Sequence, residues 1–199
     1  VSHASYLINM AAPEGVLRRK SIEAMVDELE RAHALGLLGV VVHPGTAARD
    51  HTEDDAIGLV AEAMREILSR RPDDSTMILV EHTAGQGRAV GHRFEHLAAL
   101  IHATERSGRV GVCLDTCHLL ASGYDIASGA GYARTFDAFG DLVGFARLRF
   151  VHANDSKRPC GSRVDRHEHV GKGHVGLDAF RRLLHDPRLA HAGMAIETE

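Results

Sequence analysis

Apolar residues along the chain fall into two kinds of segment. Five short runs, at 38–42, 77–80, 110–114, 148–151 and 194–196, are mostly aliphatic and continuous rather than alternating. Strands buried on both faces of a parallel sheet read this way. Between them lie longer segments with helical spacing. Residues 21–34 carry Ile22, Met25, Val26 and Leu29 on one face, and Gly36 is placed to stop the helix. Residues 54–70 follow Thr52, a candidate N-cap with Asp55 three positions on. A third helix is expected over 92–106, closed by Gly108, and two more within 133–145 and 177–184. Strand alternating with helix, with no Ser/Pro-rich linker, predicts βαβ units, a parallel sheet and one domain over residues 1–199.

The residue that follows each apolar run is ionisable. His43, Glu81, Asp115, His152 and Glu197 end the five runs, and His3 precedes the first of them by 40 residues. The intervals, 34 to 45 residues, are each one βα unit long. In a parallel sheet or barrel the strand C-termini share one face, where barrel active sites lie. The pattern therefore aims three histidines and three carboxylates at one spot. A lone His or Asp after a strand is ordinarily a cap or a hydrogen-bonding residue. Six in phase point instead to divalent-cation ligands of the kind zinc and manganese take. Without a cation the clustered carboxylates would repel one another.

Two further groups add candidates. His118 lies three residues after Asp115, on a turn leading out of the strand, where it could also cap the next helix. Asp165 and His167 form a D-x-H in the Gly-rich 161–176 loop, where Asp165 could instead pair with Arg163 or Arg166. The other ten histidines, among them His82, His92 and His96, are expected to pack or to face solvent, with His169 and His174 less settled because they share that loop. Cys113 and Cys117 read as small buried residues, since no second Cys pair completes a soft site.

Composition narrows the classes. The 199 residues include 15 His, with 23 Lys+Arg against 27 Asp+Glu for a net charge of −4. With 44% hydrophobic and 25% charged residues, this is an ordinary globular composition, not a disordered, collagenous or membrane one. The mild acidity argues against a constitutively basic nucleic-acid binder, but not against one made positive by bound metal. Three cysteines suit a reducing, cytoplasmic setting better than a disulfide scaffold. The longest clean apolar run, 35–42, is too short to span a bilayer, and no membrane role is expected. The chain begins Val1-Ser2-His3, so it is expected to be processed or to be a segment of a longer protein.

Four stretches together resemble the endonuclease IV family of apurinic/apyrimidinic endonucleases. They are the run from His3 to Ala11; Glu81-His82-Thr83-Ala84-Gly85-Gln86-Gly87; Gly111 to His118 continuing to Asp125; and His152-Ala153-Asn154-Asp155-Ser156-Lys157 followed by Gly161 to His167. The resemblance implies a (β/α)8 TIM barrel, incomplete here, with about the last five to six βα units present and the first strands missing. It implies three zinc ions, or a zinc/manganese mixture. His3, His43 and Glu81 would hold one ion. Glu81, Asp115, His152 and Glu197 would hold the second. His118, Asp165 and His167 would hold the third. His82 stands where the family commonly has Asn, and Lys172 where an acidic residue is common. An incomplete barrel would leave a sheet edge open, and a chain of this extent is expected to be unstable or aggregation-prone alone.

The implied reaction is hydrolysis of the phosphodiester 5′ to an abasic site in double-stranded DNA, leaving a 3′-hydroxyl, by a monomeric enzyme. Glu197 or Glu81 would orient the attacking water or act as base. Lys157, Arg163 and Arg166 are expected to position phosphates. Tyr6 is either a DNA-contacting aromatic or a core residue. The rival reading is a sugar isomerase or epimerase on a related xylose isomerase-like metal-binding barrel, which would hold fewer ions. A further alternative is an inactive DNA-binding or scaffold barrel. The group His118, Asp165 and His167 separates the nuclease from the isomerase.

Overall fold

Each apolar run forms a parallel strand, and each periodic segment forms a helix that returns the chain to the same end of the sheet. The structure, a computed structural model, describes residues 1–72, 74–104 and 107–198. In chain order the elements are β1 (Ser2–His3), α1 (Val16–Ala34), β2 (Gly39–Val42), α2 (Glu53–Ser69), β3 (Met77–Glu81), α3 (Phe94–Ala103), β4 (Val110–Asp115), α4 (Thr116–Ser122), α5 (Gly129–Leu142), β5 (Leu148–His152), β6 (Asp155–Ser156), β7 (His167–Glu168), α6 (Leu177–His185) and β8 (Gly193–Ala195). Six strands make one sheet in the order β1-β2-β3-β4-β5-β8, every neighbouring pair parallel. The sheet is a curled portion of a (β/α)8 barrel. Among the described residues β1 and β8 each have one sheet neighbour. No helix is long and apolar enough to cross a membrane.

Alternation along the strands divides the apolar residues between two cores. Val40, Val42, Ile78, Val80 and Val112 face the helices and pack with Met25, Leu29, Phe94, Leu97, Phe136 and Phe139. Val41, Met77, Leu79 and Cys113, with Phe150 beside them, form a small cluster on the inner face. The inner column continues upward at the same two-residue step: Val41 to His43, Leu79 to Glu81, Cys113 to Asp115, and Phe150 to His152. The ionisable strand-end residues thus cap the inner cluster. Between β4 and β5 the register slips by one residue. Val112 pairs with Leu148 but Cys113 pairs with Phe150, which brings Asp115 opposite His152. Without that irregularity Asp115 would lie opposite Val151, and His152 would be displaced from it.

Several expected boundaries move for local reasons. Helix α1 begins at Val16 rather than residue 21, and it ends as expected. The Gly36 amide donates to the His33 carbonyl and the Leu37 amide to Ala32, a Schellman closure with Gly36 at φ +66°. Helix α2 is capped by Thr52, with Asp55 completing the reciprocal box. Helix α3 covers Phe94–Ala103, and residues 105 and 106 of the expected segment lie outside the described residues. Helix α5 starts earlier than expected, because the Ser128 hydroxyl accepts from the Gly131 amide. The turn expected after Asp115 is instead helix α4, with the Asp115 carboxylate as its N-cap, accepting from the His118 amide at 2.8 Å.

The 155–176 loop is organised around one carboxylate. Asp155 is fully buried and accepts from the amides of Ser156 (2.8 Å), Gly171 (3.0 Å), Gly173 (3.1 Å), Val175 (2.8 Å) and Gly176 (3.4 Å). The chain must approach so closely that a Cβ on Gly173 would meet the Ser156 carbonyl oxygen at 2.3 Å. Asp155→Asn replaces an acceptor with a donor among these amides, so it is expected to lower stability by roughly 2–4 kcal/mol. Urea denaturation measures this, and a change within about 0.5 kcal/mol, the scale of roughly neutral surface substitutions, would remove Asp155 from that role.

Candidate metal centre

Strand ends, helix α4 and the 161–167 segment bring the nine predicted ligands to one end of the sheet. Glu81 stands at the middle, fully buried at the end of β3. Its Oε2 lies 2.9 Å from His3 Nε2 and 3.1 Å from His43 Nε2, and its Oε1 lies 2.9 Å from His152 Nδ1. One carboxylate therefore spans two donor groups. His152 Nδ1 is also 3.4 Å from Glu197 Oε2, two residues beyond the end of β8. A third group forms where α4 meets the 161–167 loop. Asp165 places one oxygen 3.2 Å from His118 Nε2 and the other 3.4 Å from His167 Nε2, and Asp115 Oδ2 lies 3.7 Å from His167 Nε2. Asp165 faces these histidines rather than pairing with a neighbouring arginine. His169 and His174 are exposed.

The donors fit divalent cations. His3 Nδ1 donates to the Ala4 carbonyl at 2.7 Å, and His118 Nδ1 to the His82 carbonyl at 2.9 Å. With Nδ1 committed, loss of the Nε2 proton would leave each ring a lone pair aimed at carboxylate oxygens, the usual outer-shell arrangement for a ligating histidine. His118 Nε2 and His167 Nε2 are buried and make no hydrogen bond. Such nitrogens next to carboxylates suit zinc or manganese.

Metal-free, the cluster holds itself together with protons. Burial pushes the Glu81 carboxyl toward its neutral form, but hydrogen bonds from His152, His3 and His43 outweigh it and hold it well below the usual carboxylate range. Burial also disfavours a charged His3, yet the Glu81 contact raises it to about 9. For His118, burial is outweighed by Asp115 and Asp165, and the ring is raised to about 10. His152 is raised for the same reason, against burial and by Glu81. Burial raises Asp115.

Some site residues carry no strong sequence signal. Asn154 Nδ2 donates to Asp115 Oδ2 at 2.6 Å and to Glu197 Oε2 at 2.9 Å, and its Oδ1 accepts from the Glu197 amide at 2.9 Å. In the sequence it is marked by its place in the 152–157 stretch, two residues after His152, and not by any role. Cys113 and Cys117 are buried and free, as expected, and Cys113 Sγ lies 3.7 Å from His152 Nδ1.

The residues expected to touch DNA sit on the same side. Tyr6 is 87% exposed, which rules out its core alternative, and Leu7 beside it, not foreseen, is 71% exposed. Both line a cleft of about 310 Å³ that also takes in His43, Thr46 and Thr83. Lys157 and Arg166 are exposed. The guanidinium of Arg163 is engaged, donating to His92 Nε2 at 3.2 Å.

A family model described as a xylose isomerase-like TIM barrel matches residues 1–199. The probable endonuclease 4 of Chloroflexus aurantiacus is 49% identical over 201 residues, covering 100% of this chain and 69% of that protein. That of Geobacter sulfurreducens is 46% identical over 198 residues, covering 100% and 67%. The crystal structure of endonuclease IV from Thermus thermophilus superposes with a TM-score of 0.86 at 41% identity, covering 99% of this chain and 68% of that one. A D-tagatose 3-epimerase-like protein superposes with a TM-score of 0.71 at 20% identity, covering 96% and 67%, which is a likeness of fold alone.

Because His3, His118 and His152 bind protons more tightly than free histidine, a cation must displace those protons. Raising the pH from 6 towards 9 weakens that competition without ending it, so zinc affinity is expected to rise over this range, with protons released on loading. Calorimetry in buffers of different ionisation enthalpy checks this, and proton-neutral binding would contradict it.

Proposed function

This chain belongs to the endonuclease IV family, and from that premise we propose that it hydrolyses the phosphodiester 5′ to an abasic site in duplex DNA. The products are a 3′-hydroxyl and a 5′-deoxyribose phosphate. The reading includes three divalent ions, zinc throughout or with manganese at one position, and a monomer acting in a reducing cytoplasm. The observation that carries it is the third donor group. His118, Asp165 and His167, with two histidine nitrogens buried and without hydrogen bonds, extend the ligand set beyond what one or two cations need.

His3, His43 and Glu81 would hold the first ion, with Glu81 shared to the second alongside Asp115, His152 and Glu197. His118, Asp165 and His167 would hold the third. When bound, such ions neutralise phosphate charge, lower the pKa of water and stabilise a leaving oxygen. The four carboxylates among the ligands leave a three-ion pocket net positive, which lets a chain of net charge −4 accept a phosphodiester.

The residues divide the remaining work. Glu81 is sealed from solvent and contacts histidines through both oxygens, so it is the residue that would be shared between two ions. Glu197 is about one-third exposed at its side chain, and Asn154 fixes the oxygen that faces His152. It is therefore the carboxylate placed to orient an attacking water. Tyr6 and Leu7 present apolar surface next to His43, where they can fill the gap left by a missing base and favour an already unstacked nucleotide. Lys157 and Arg166 position phosphates, while the Arg163 guanidinium of the same loop is engaged by His92.

The test is nicking of a duplex with one abasic site. Cleavage is expected on its 5′ side, abolished by chelator and restored by zinc, with an undamaged duplex left intact. Glu81→Gln and Glu197→Gln are each expected to lower the rate by about 10²–10⁴. Epimerisation of a ketose without nicking would overturn the reading in favour of the sugar-epimerase alternative, and undiminished nicking by Glu197→Gln would remove that residue from the reaction.

A further inference from the structure

We propose that Gln86 and His92, both on the 82–93 loop that follows β3, are positioning residues that clasp the 161–167 segment and fix Asp165 in the third donor group. The inference rests on the three-ion reading above and names what holds its outermost site.

Asp165 needs an external hold. It sits on a loop outside any long element, with its side chain 38% exposed, unlike Asp115 and His118, which are buried. Two side chains from the 82–93 loop reach this segment from 71 and 79 residues away. Gln86 Oε1 accepts from the Asp165 amide at 2.9 Å. His92 Nε2 accepts from the Arg163 guanidinium at 3.2 Å. Arg163 is the one non-glycine with positive φ among the described residues, at +53°. Such a conformation persists where the surroundings enforce it. Here the Arg163 amide is tied to the Ala121 carbonyl at 2.9 Å and its side chain to His92.

The clasping loop is itself braced. Thr83 Oγ1 donates to the Val90 carbonyl at 3.0 Å, His92 Nδ1 to Ala89 at 3.1 Å, and His82 Nε2 to His92 at 3.1 Å. Gly85 and Gly87, at φ +71° and +63°, turn the chain so that Gln86 projects outward. A Cβ on Gly85 would lie 2.9 Å from the His92 ring. The His82 carbonyl in this loop also orients His118. One rigid loop therefore sets two of the three ligands of the outer group, His118 directly and Asp165 through the clasp.

His92 also approaches His96 and Glu53, and the two rings lie 3.7 Å and 3.5 Å from the Glu53 oxygens respectively, a grouping that resembles a cation site. Its hydrogen bonds argue otherwise. The Gly91 amide donates to His96 Nδ1 at 3.2 Å, which puts that ring's proton on Nε2, and Arg163 occupies the lone pair of His92 Nε2. No imidazole lone pair is left for a cation, and the cluster serves to fix the ring that holds Arg163.

The experiment compares the full chain with Gln86→Ala, His92→Ala and Gln86→Glu, the last of which keeps the acceptor. Amide hydrogen exchange is followed in metal-free protein, and zinc is titrated against a competing chelator. Gln86→Ala is expected to speed exchange at least about tenfold over 163–167 with β2 and β3 unchanged. It is also expected to weaken the third equivalent of zinc by about 10–100-fold and leave the other two intact. His92→Ala acts in the same direction, and Gln86→Glu restores both readouts. Parent-like exchange and zinc binding in Gln86→Ala would overturn the clasp. If the parent takes up fewer than three zinc ions while Gln86→Ala still speeds exchange at 163–167, the three-ion reading falls and the clasp stands.

Discussion

A carboxylate removed from water is the constraint on which the rest of the site depends. Glu81 ends a central strand with no solvent exposure. An ionised carboxyl in such a place is costly unless cations or strong donors surround it. His3, His43 and His152, each from a different strand end, converge on its two oxygens. Protonated histidines answer the charge in the metal-free protein. The same arrangement makes the strand order matter, since Glu81 on β3 needs neighbours on both sides to supply those rings.

Precision comes from two sources that differ in kind. The inner group is set by regular backbone. Glu81, Asp115 and His152 on β3, β4 and β5 each lie two residues beyond an inner-face apolar side chain, and a one-residue slip between β4 and β5 brings Asp115 and His152 side by side. The outer group draws on mixed supports: His118 on helix α4, His167 on β7 paired with β6, and Asp165 on a loop that no ladder aligns. The 155–176 loop is wrapped around the Asp155 carboxylate, and its 161–167 segment is tied to the 82–93 loop through Gln86 and His92. Sugar epimerase-like proteins share the barrel with this chain at low identity.

Much of this was legible in the chain itself. Runs of aliphatic residues followed by His, Asp or Glu fix strand ends within a residue or two, because a strand buried on both faces admits a polar residue only where it emerges. Helix ends were legible where capping is local, as at Thr52 and Gly36, and shifted where an unnoticed cap intervened, as at Ser128 and Asp115. Tyr6 remained open between core and surface, since an isolated aromatic in a loop carries no periodicity, and only its exposure decides.

The sequence by itself determined the kind of donors, their order and their common face, since these follow from side-chain chemistry and from the period of a βα unit. Only the tertiary structure decided which donors share an oxygen, that Asn154 links Asp115 to Glu197, and that Gln86 and His92 hold the loop of Asp165. Those contacts join residues 39 to 79 positions apart. No local pattern encodes them, because a single hydrogen bond across such a distance exists only after the sheet has brought its loops together.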